Sequence, residues 1–458
     1  MEWGTLIVMT KKIRYLLMSV LCLWSLSAEI VRADDPTDAV MAQAQKAYEE
    51  EKFQEAVDVL KPILKKPPVP LGATRLHLLA LARLGKISDA LDAYESMVKS
   101  SKREDEGLLR QMAIASILPR RTDMREQIRG AAYTALKEIN SDDVVPYLED
   151  GLTDGSGMLR ALVAEALAKR KAGRQSKRFR NALKDEAGLV RAAVLIGLGR
   201  TGEAGLTSLV ANSLQDEQAL VQIAAARALY ELGHKKYWAR IEQGAQSQEG
   251  YERGAAIRAF GELRDKRAIP ILEKTATDAQ PSIRAAALIS LGKITFPSTL
   301  PTLKAALFDP IPAVRSVAAL SLGYFDPHEV LAPLRRALAD TNPGVRAASV
   351  ASLLRVGAPF SVVEGAVHQL LQDSNPAIRS GVAKALGNGK GSKVTATLTF
   401  ILNDALPRPR IVAARSLGRI QERTLLPVLK RTLRDSDAAV RVTAAAAIVK
   451  VLDAKIGT

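Results

Sequence analysis

Asp309-Pro310-Ile311-Pro312-Ala313-Val314-Arg315 and, one unit later, Asp340-Thr341-Asn342-Pro343-Gly344-Val345-Arg346 are the stretches on which the fold is read. Each sets an aspartate six residues ahead of an arginine and continues through small residues to a leucine seven places on, Leu322 or Leu353. A proline three residues before the arginine suits the first turn of a helix, where a missing N–H costs nothing. Moving outward, the arginine recurs as Arg129, Arg160, Arg191, Arg253, Arg284, Arg315, Arg346, Arg379, Arg410 and Arg441. Gln222 fills the one vacant slot. The spacing is 31 residues except between Arg346 and Arg379, where it is 33, which gives eleven units. The aspartate keeps its place from Asp123 to Asp435, and only Ser247 breaks that row.

One unit reads as a helix pair. Ile269 to Thr277 has helical spacing, Asp278 to Pro281 is a turn, and a second helix carries Ala286, Ala287 and Leu291. Gly292 is expected to end that helix or bend it into the next unit. Neither helix can bury its apolar stripe alone, so units must stack. The pattern resembles the HEAT-repeat superfamily, in particular its short-unit form in phycobilisome-lyase-type proteins, from about Glu106 to Leu452. The resemblance implies an all-α, right-handed α-solenoid of about eleven 31-residue helix pairs. It implies little about function, because this fold hosts many unrelated tasks.

Phe53-Gln54-Glu55-Ala56-Val57 and Ile87-Ser88-Asp89-Ala90-Leu91 lie 34 residues apart. That period resembles tetratricopeptide repeats. Two such units are few, and residues 34–105 are expected to cap the solenoid of residues 106–458.

Residues 1–33 read as a signal peptide. Lys11, Lys12 and Arg14 precede the apolar run Tyr15–Ala28, and Val31-Arg32-Ala33 stands before the polar Asp34-Asp35-Pro36. The run is shorter than the roughly 20 residues a bilayer span needs. Export, most simply to a bacterial periplasm, would leave a mature chain without Cys22, the sole cysteine, and without a transmembrane segment. Hydrophobic residues make up 47% and aromatics only 4%, a mixture suited to close-packed helices.

No catalytic constellation emerges, and no cofactor or metal is expected. His77, His234, His328 and His368 share no repeat position. His328-Glu329 is similar to the His-Glu pairs of HEAT-type di-iron hydroxylases, but those need four facing pairs and this chain has one. Gly197-Leu198-Gly199-Arg200-Thr201-Gly202 follows a helix and not a strand, so it does not read as a phosphate cradle. The aspartate and arginine rows read as a structural ladder, each aspartate capping a helix and pairing with an arginine of its own or the next unit.

The formal charge is +16, and all of the excess falls beyond residue 105. One concentration is Lys169 to Arg180, which reads as a solvated edge between units. Another follows from helix register. Positions five and nine past each anchor lie one turn apart, opposite the small packing residues, and in HEAT arrays that face lines the concave groove. Arg227 with Glu231, and Arg258 with Glu262, should partly neutralise each other there. After Lys293 the row holds Arg355, Lys384, Arg415, Arg419 and Lys450 and no acid. These five are candidate binding residues. A third irregularity, Lys235, Lys236 and Trp238 beside the vacant anchor slots, is a candidate partner anchor.

The reading is an exported bacterial scaffold, not an enzyme, that binds a protein, a peptide or an anionic envelope polymer. One alternative is an enzyme or accessory of the bilin-lyase type. Another is a nucleic-acid binder, which the sparse aromatics and the signal peptide disfavour.

Overall fold

The computed structural model describes residues 36–454, and their regular structure is helical. They divide into two compact units after Leu76. In the first, α1 (Pro36–Glu49) and α2 (Phe53–Leu64) enclose a small core of Ala44, Leu60, Ala73 and Leu76. The helix α3 (Leu71–Arg83) carries the division, and α4 (Ile87–Ser101) follows it. The 34-residue period is visible in the turns. Glu51 and Gly85 both take a left-handed backbone, and the next N–H in each case, of Lys52 or Lys86, returns to the carbonyl of Ala47 or Leu81 at 2.9 Å. Residues 77–105 fall in the same compact unit as the HEAT-type repeats.

In the second unit α5 (Glu106–Ile117) precedes eleven anchor-bearing helices. These are α6 (Glu126–Glu138), α7 (Gly157–Ala168), α8 (Gly188–Gly199), α9 (Ala219–Glu231), α10 (Gly250–Leu263) and α11 (Pro281–Ile294). They continue as α12 (Pro312–Leu322), α13 (Pro343–Arg355), α14 (Pro376–Leu386), α15 (Pro407–Ile420) and α16 (Ala438–Asp453). Shorter helices such as Leu300–Ala305 and Leu426–Thr432 alternate with them.

Gly292 neither ends nor bends α11. The helix runs on to Ile294 and stops where Thr295 turns left-handed, its N–H bonding to Leu291 at 3.1 Å. The glycine instead allows close approach: a Cβ placed there would lie 2.7 Å from Ser321 Cβ on α12. The same contact joins Gly261 to Ser290, Gly323 to Ser352, Gly387 to Ser416 and Gly418 to Ala447. Ser290, buried by this approach, donates to the Ile257 carbonyl at 2.9 Å, so its hydroxyl is satisfied.

The ladder runs between units. Arg315 donates from Nε and Nη2 to both carboxylate oxygens of Asp340, at 2.8 and 2.9 Å. Its own unit supplies only main-chain carbonyls, Asp309 at 2.9 Å and Pro310 at 3.3 Å. Arg129, Arg160, Arg191, Arg284, Arg379 and Arg410 make the same forked bond to the following aspartate. Each aspartate also accepts the N–H two residues on, as Asp309 does from Ile311 at 2.8 Å. It thus closes the turn ahead of the helix and is not itself the N-cap.

The ladder weakens at Arg253, whose Nε lies 3.5 Å from Asp278 Oδ2 without a hydrogen bond, and it lapses where the pattern lapses. The two extra residues before Arg379 carry Asp373 out of reach, and Arg346 Nε is buried without a hydrogen-bond partner. At the vacant slot Gln222 donates to the Asp216 carbonyl at 2.7 Å, and Arg240 bridges Gln222 to Glu252 at 2.8 and 2.7 Å.

The second unit closes on itself. Each of α6 to α16 packs on the next, and α16 packs on both α5 and α6, which completes a ring of eleven helices. Buried Val440, Val442, Ala445 and Val449 on α16, with Leu109 and Met112 on α5, supply apolar surface for this closure. Ion pairs ring it: Arg110 with Asp453 at 2.5 Å, Lys430 with Glu104 at 2.7 Å, Arg434 with Asp92 at 2.8 Å, and Arg423 with Glu106. Each unit end serves as the other's cap.

Candidate functional site

Positions five and nine of the eleven helices do share one face, and it is the inner face of the ring. Glu262 on α10 reaches Arg200, just past the end of α8 and two units away, at 3.4 Å, and Arg227 on α9 at 3.8 Å. It also pairs with Lys293 on α11. Side chains two units apart can meet only across a concave surface. Arg227 pairs with Glu231 at 3.1 Å, as expected from an i,i+4 spacing. Arg258 does not pair with Glu262, which has turned to the other three cations. Arg258 is left without a hydrogen bond or ion pair among the described residues, exposed to the lumen yet walled by protein, and that burial holds its guanidinium below its ordinary pKa.

The candidate wall residues divide. Arg355 is engaged: its guanidinium lies 4.5 Å over the Tyr324 ring and donates at 3.3 Å to the Leu320 carbonyl and to Asn388. Lys384 and Arg419 are exposed and make no side-chain hydrogen bond or ion pair among the described residues. Arg415 meets Glu138 of the first unit at 2.6 Å. The acid-free row seen in the sequence is therefore acid-free only along the chain, because closure brings α6 beside α15 and α16. Lys450 is half-buried. Burial, and then Arg419 and Arg415, hold its ammonium below the ordinary lysine pKa against the opposing pull of Glu138.

A family profile described as HEAT repeats matches residues 176–249, 238–310, 300–363 and 395–456, together more than half of the chain. The chain belongs to the HEAT-repeat family. Residues 26–108 match a second profile, described as a bacterial transcriptional activator domain. No curated protein matches this HEAT-repeat chain. Among solved structures it is similar to human deoxyhypusine hydroxylase in complex with glycerol, at 22% identity over 56% of this chain and 98% of that one, with a TM-score of 0.28. YibA of Escherichia coli aligns at 17% identity over 66% and 98%, with a TM-score of 0.34. An engineered protein aligns at 16% over 74% and 98%, with a TM-score of 0.27. The HEAT protein is a helical repeat scaffold, a fold that typically mediates protein interactions.

Two expectations about the HEAT array need correction. Trp238 is not an exposed anchor; it is 6% exposed, packed between Tyr230 at 5.7 Å and Phe260 at 4.8 Å, with Arg267 4.3 Å over its ring. Asp265 holds Arg267 at 2.7 Å and accepts from the Tyr230 hydroxyl at 2.7 Å. The irregular units are thus repacked around an aromatic core, while Lys235 and Lys236 lie over Tyr230 and Tyr237. The Lys169–Arg180 concentration is also more than a solvated edge. Arg170 is buried and donates to the carbonyls of Ala166, Leu136 and Lys137, closing the end of α6.

His328 and Glu329 line an open groove of about 810 Å³ between the short helices of the seventh and eighth units. Glu329 is taken by Lys304 at 3.0 Å. Among the described residues no group of three or more His, Cys, Asp or Glu is placed to hold a metal ion. No helix among them is long and apolar enough to cross a membrane.

Proposed function

We propose that this HEAT protein is an exported, non-catalytic scaffold whose inner wall holds an anionic partner, either an acidic protein or peptide segment or an anionic envelope polymer. One observation carries the reading. The ladder cancels its charges pair by pair, whereas Arg258, Lys384, Arg419 and Lys450 on the inner wall lack ion-pair partners among the described residues. Like charges concentrated on one concave surface repel each other, and a partner of opposite sign relieves that cost. Export rests on the residues of the 1–33 leader, which lie outside the described residues. Non-catalytic action rests on the sequence, whose four histidines share no repeat position and form no set with a nucleophile.

Affinity capture from bacterial envelope extracts tests this. The parent should retain a partner that salt elutes, and Lys384→Glu with Arg419→Glu should lose it while keeping full helicity. Equal capture by the reversed protein at low and high salt would remove the inner wall as the binding surface. Mature protein that begins at Met1 and sits in the cytoplasm would remove export.

A further inference from the structure

We propose that Arg415, Arg419 and Lys450, bounded by Glu138, form a binding site for a phosphoryl group that is complete only while the ring is closed. The inference rests on the scaffold reading and names the chemistry of one sector of its wall. Three helices from units ten, eleven and one build the sector. The helix α15 presents Arg415 and Arg419 one turn apart, α16 presents Lys450, and α6 brings Glu138 across the closure.

The donors there are unsatisfied. Arg415 Nε is buried and lies within ion-pair range of Glu138, but out of hydrogen-bond geometry, so a guanidinium N–H remains without an acceptor. Lys450 Nζ and the Arg419 guanidinium have no hydrogen-bond or ion-pair partner among the described residues. A buried donor left unpaired is costly, and such groups accept a ligand readily. Three cations face one carboxylate, which leaves an excess of two positive charges. A dianionic tetrahedral oxyanion matches that excess, and a planar guanidinium fork beside a compact ammonium is a common way to hold one. A monoanionic carboxylate would leave one charge uncompensated. Burial first, and Arg419 and Arg415 after it, depress the basicity of Lys450 against the pull of Glu138, and an anion seated beside it would offset that loss.

Glu138 makes the site conditional. It fixes Arg415 from the far side of the closure, so whatever opens the ring removes one wall of the site. By linkage, a phosphoryl ligand must then favour the closed ring.

Calorimetric titration of the full mature chain with inorganic phosphate, at fixed ionic strength and against chloride and acetate controls, tests the site. One equivalent should bind, and Arg419→Gln or Lys450→Gln should each weaken it by about tenfold or more. Lys390→Gln, exposed and outside the sector, should not. Polyphosphate tested in parallel separates a phosphorylated polymer from the free ion: tighter binding with the same sensitivity to Arg419→Gln identifies the polymer. Heats no different from chloride, or unchanged in both variants, overturn the proposal. A protein that captures its partner in a salt-dependent way but takes up no phosphate overturns the phosphoryl assignment and leaves the scaffold reading standing. Phosphate uptake without partner capture does the reverse.

Discussion

Arg415 Nε lies 2.6 Å from Glu138 Oε1, although one residue belongs to the tenth unit and the other to the first. That contact cannot exist in an open array. Together with the packing of α16 on α5 and α6, it makes the HEAT array a ring whose inner wall is continuous.

The ladder sets a graded prediction. Arg160 is 8% exposed and bonds Asp185 through two nitrogens, Glu186, and the Asp154 carbonyl. Arg160→Ala strands the Asp185 carboxylate and should cost about 2–4 kcal/mol. Arg346 has no such carboxylate partner, so Arg346→Ala should cost less than half as much. Urea unfolding of both variants checks this, and equal losses would show that the forked bond is not what the ladder contributes.

Acid should weaken the same ladder. Hydrogen bonds from Arg284, Arg315 and Arg379 hold the carboxyls of Asp309, Asp340 and Asp404 below the usual aspartate value. Unfolded aspartates titrate near pH 3.9, so below that the unfolded chain takes up protons that the folded one refuses. Their stabilisation is full above about pH 5 and is lost as pH falls through the folded values. The urea midpoint should drop between about pH 5 and 3, and Arg315→Ala should flatten that drop.

Gly323→Ala would place a Cβ 2.6 Å from Ser352 Oγ and 2.8 Å from its Cβ. Overpacking at this close approach should cost about 1–3 kcal/mol. Gly365, in a helix with nothing within 4 Å, should accept alanine at no cost or with a small gain. Thermal melts of the pair check whether the helix spacing is set by these contacts.

Trp238→Ala should act on folding and not selectively on binding. Removing a ring packed between Tyr230 and Phe260 should cost about 3–5 kcal/mol. A stable Trp238→Ala protein that loses its partner would restore the tryptophan as an anchor.

The repeat was legible because an aspartate, an arginine and a leucine keep register through most of the eleven units; register put positions five and nine on one face, and the resemblance to HEAT arrays made it the inner one. Closure was not read, though its signal is present. The last helix, Ala438–Asp453, is apolar around most of its girth between Arg441 and Lys450, with Val442, Thr443 and Ala444 to Val449 all buried. A terminal solenoid helix needs a polar outer face, so this one must be covered. Acids at Asp92, Glu104 and Glu106 likewise face bases at Arg434, Lys430 and Arg423, a complementarity invisible until the ends meet. Trp238 was misplaced because periodicity gives no depth: Tyr230 and Phe260 lie on neighbouring helices, and only packing brings all three rings together.

Ring closure itself is tested most directly by a distance across it. With Cys22, the only native cysteine, replaced by serine, Glu104→Cys and Lys430→Cys can each carry a spin label. Pulsed electron-electron resonance should give one narrow distribution near about 20 Å, since the two side chains now meet at 2.7 Å. An open array stacks its helix pairs about 8–10 Å apart and would hold these ends many tens of Å from each other. A broad distribution beyond about 50 Å would contradict the ring, and with it the site that closure completes.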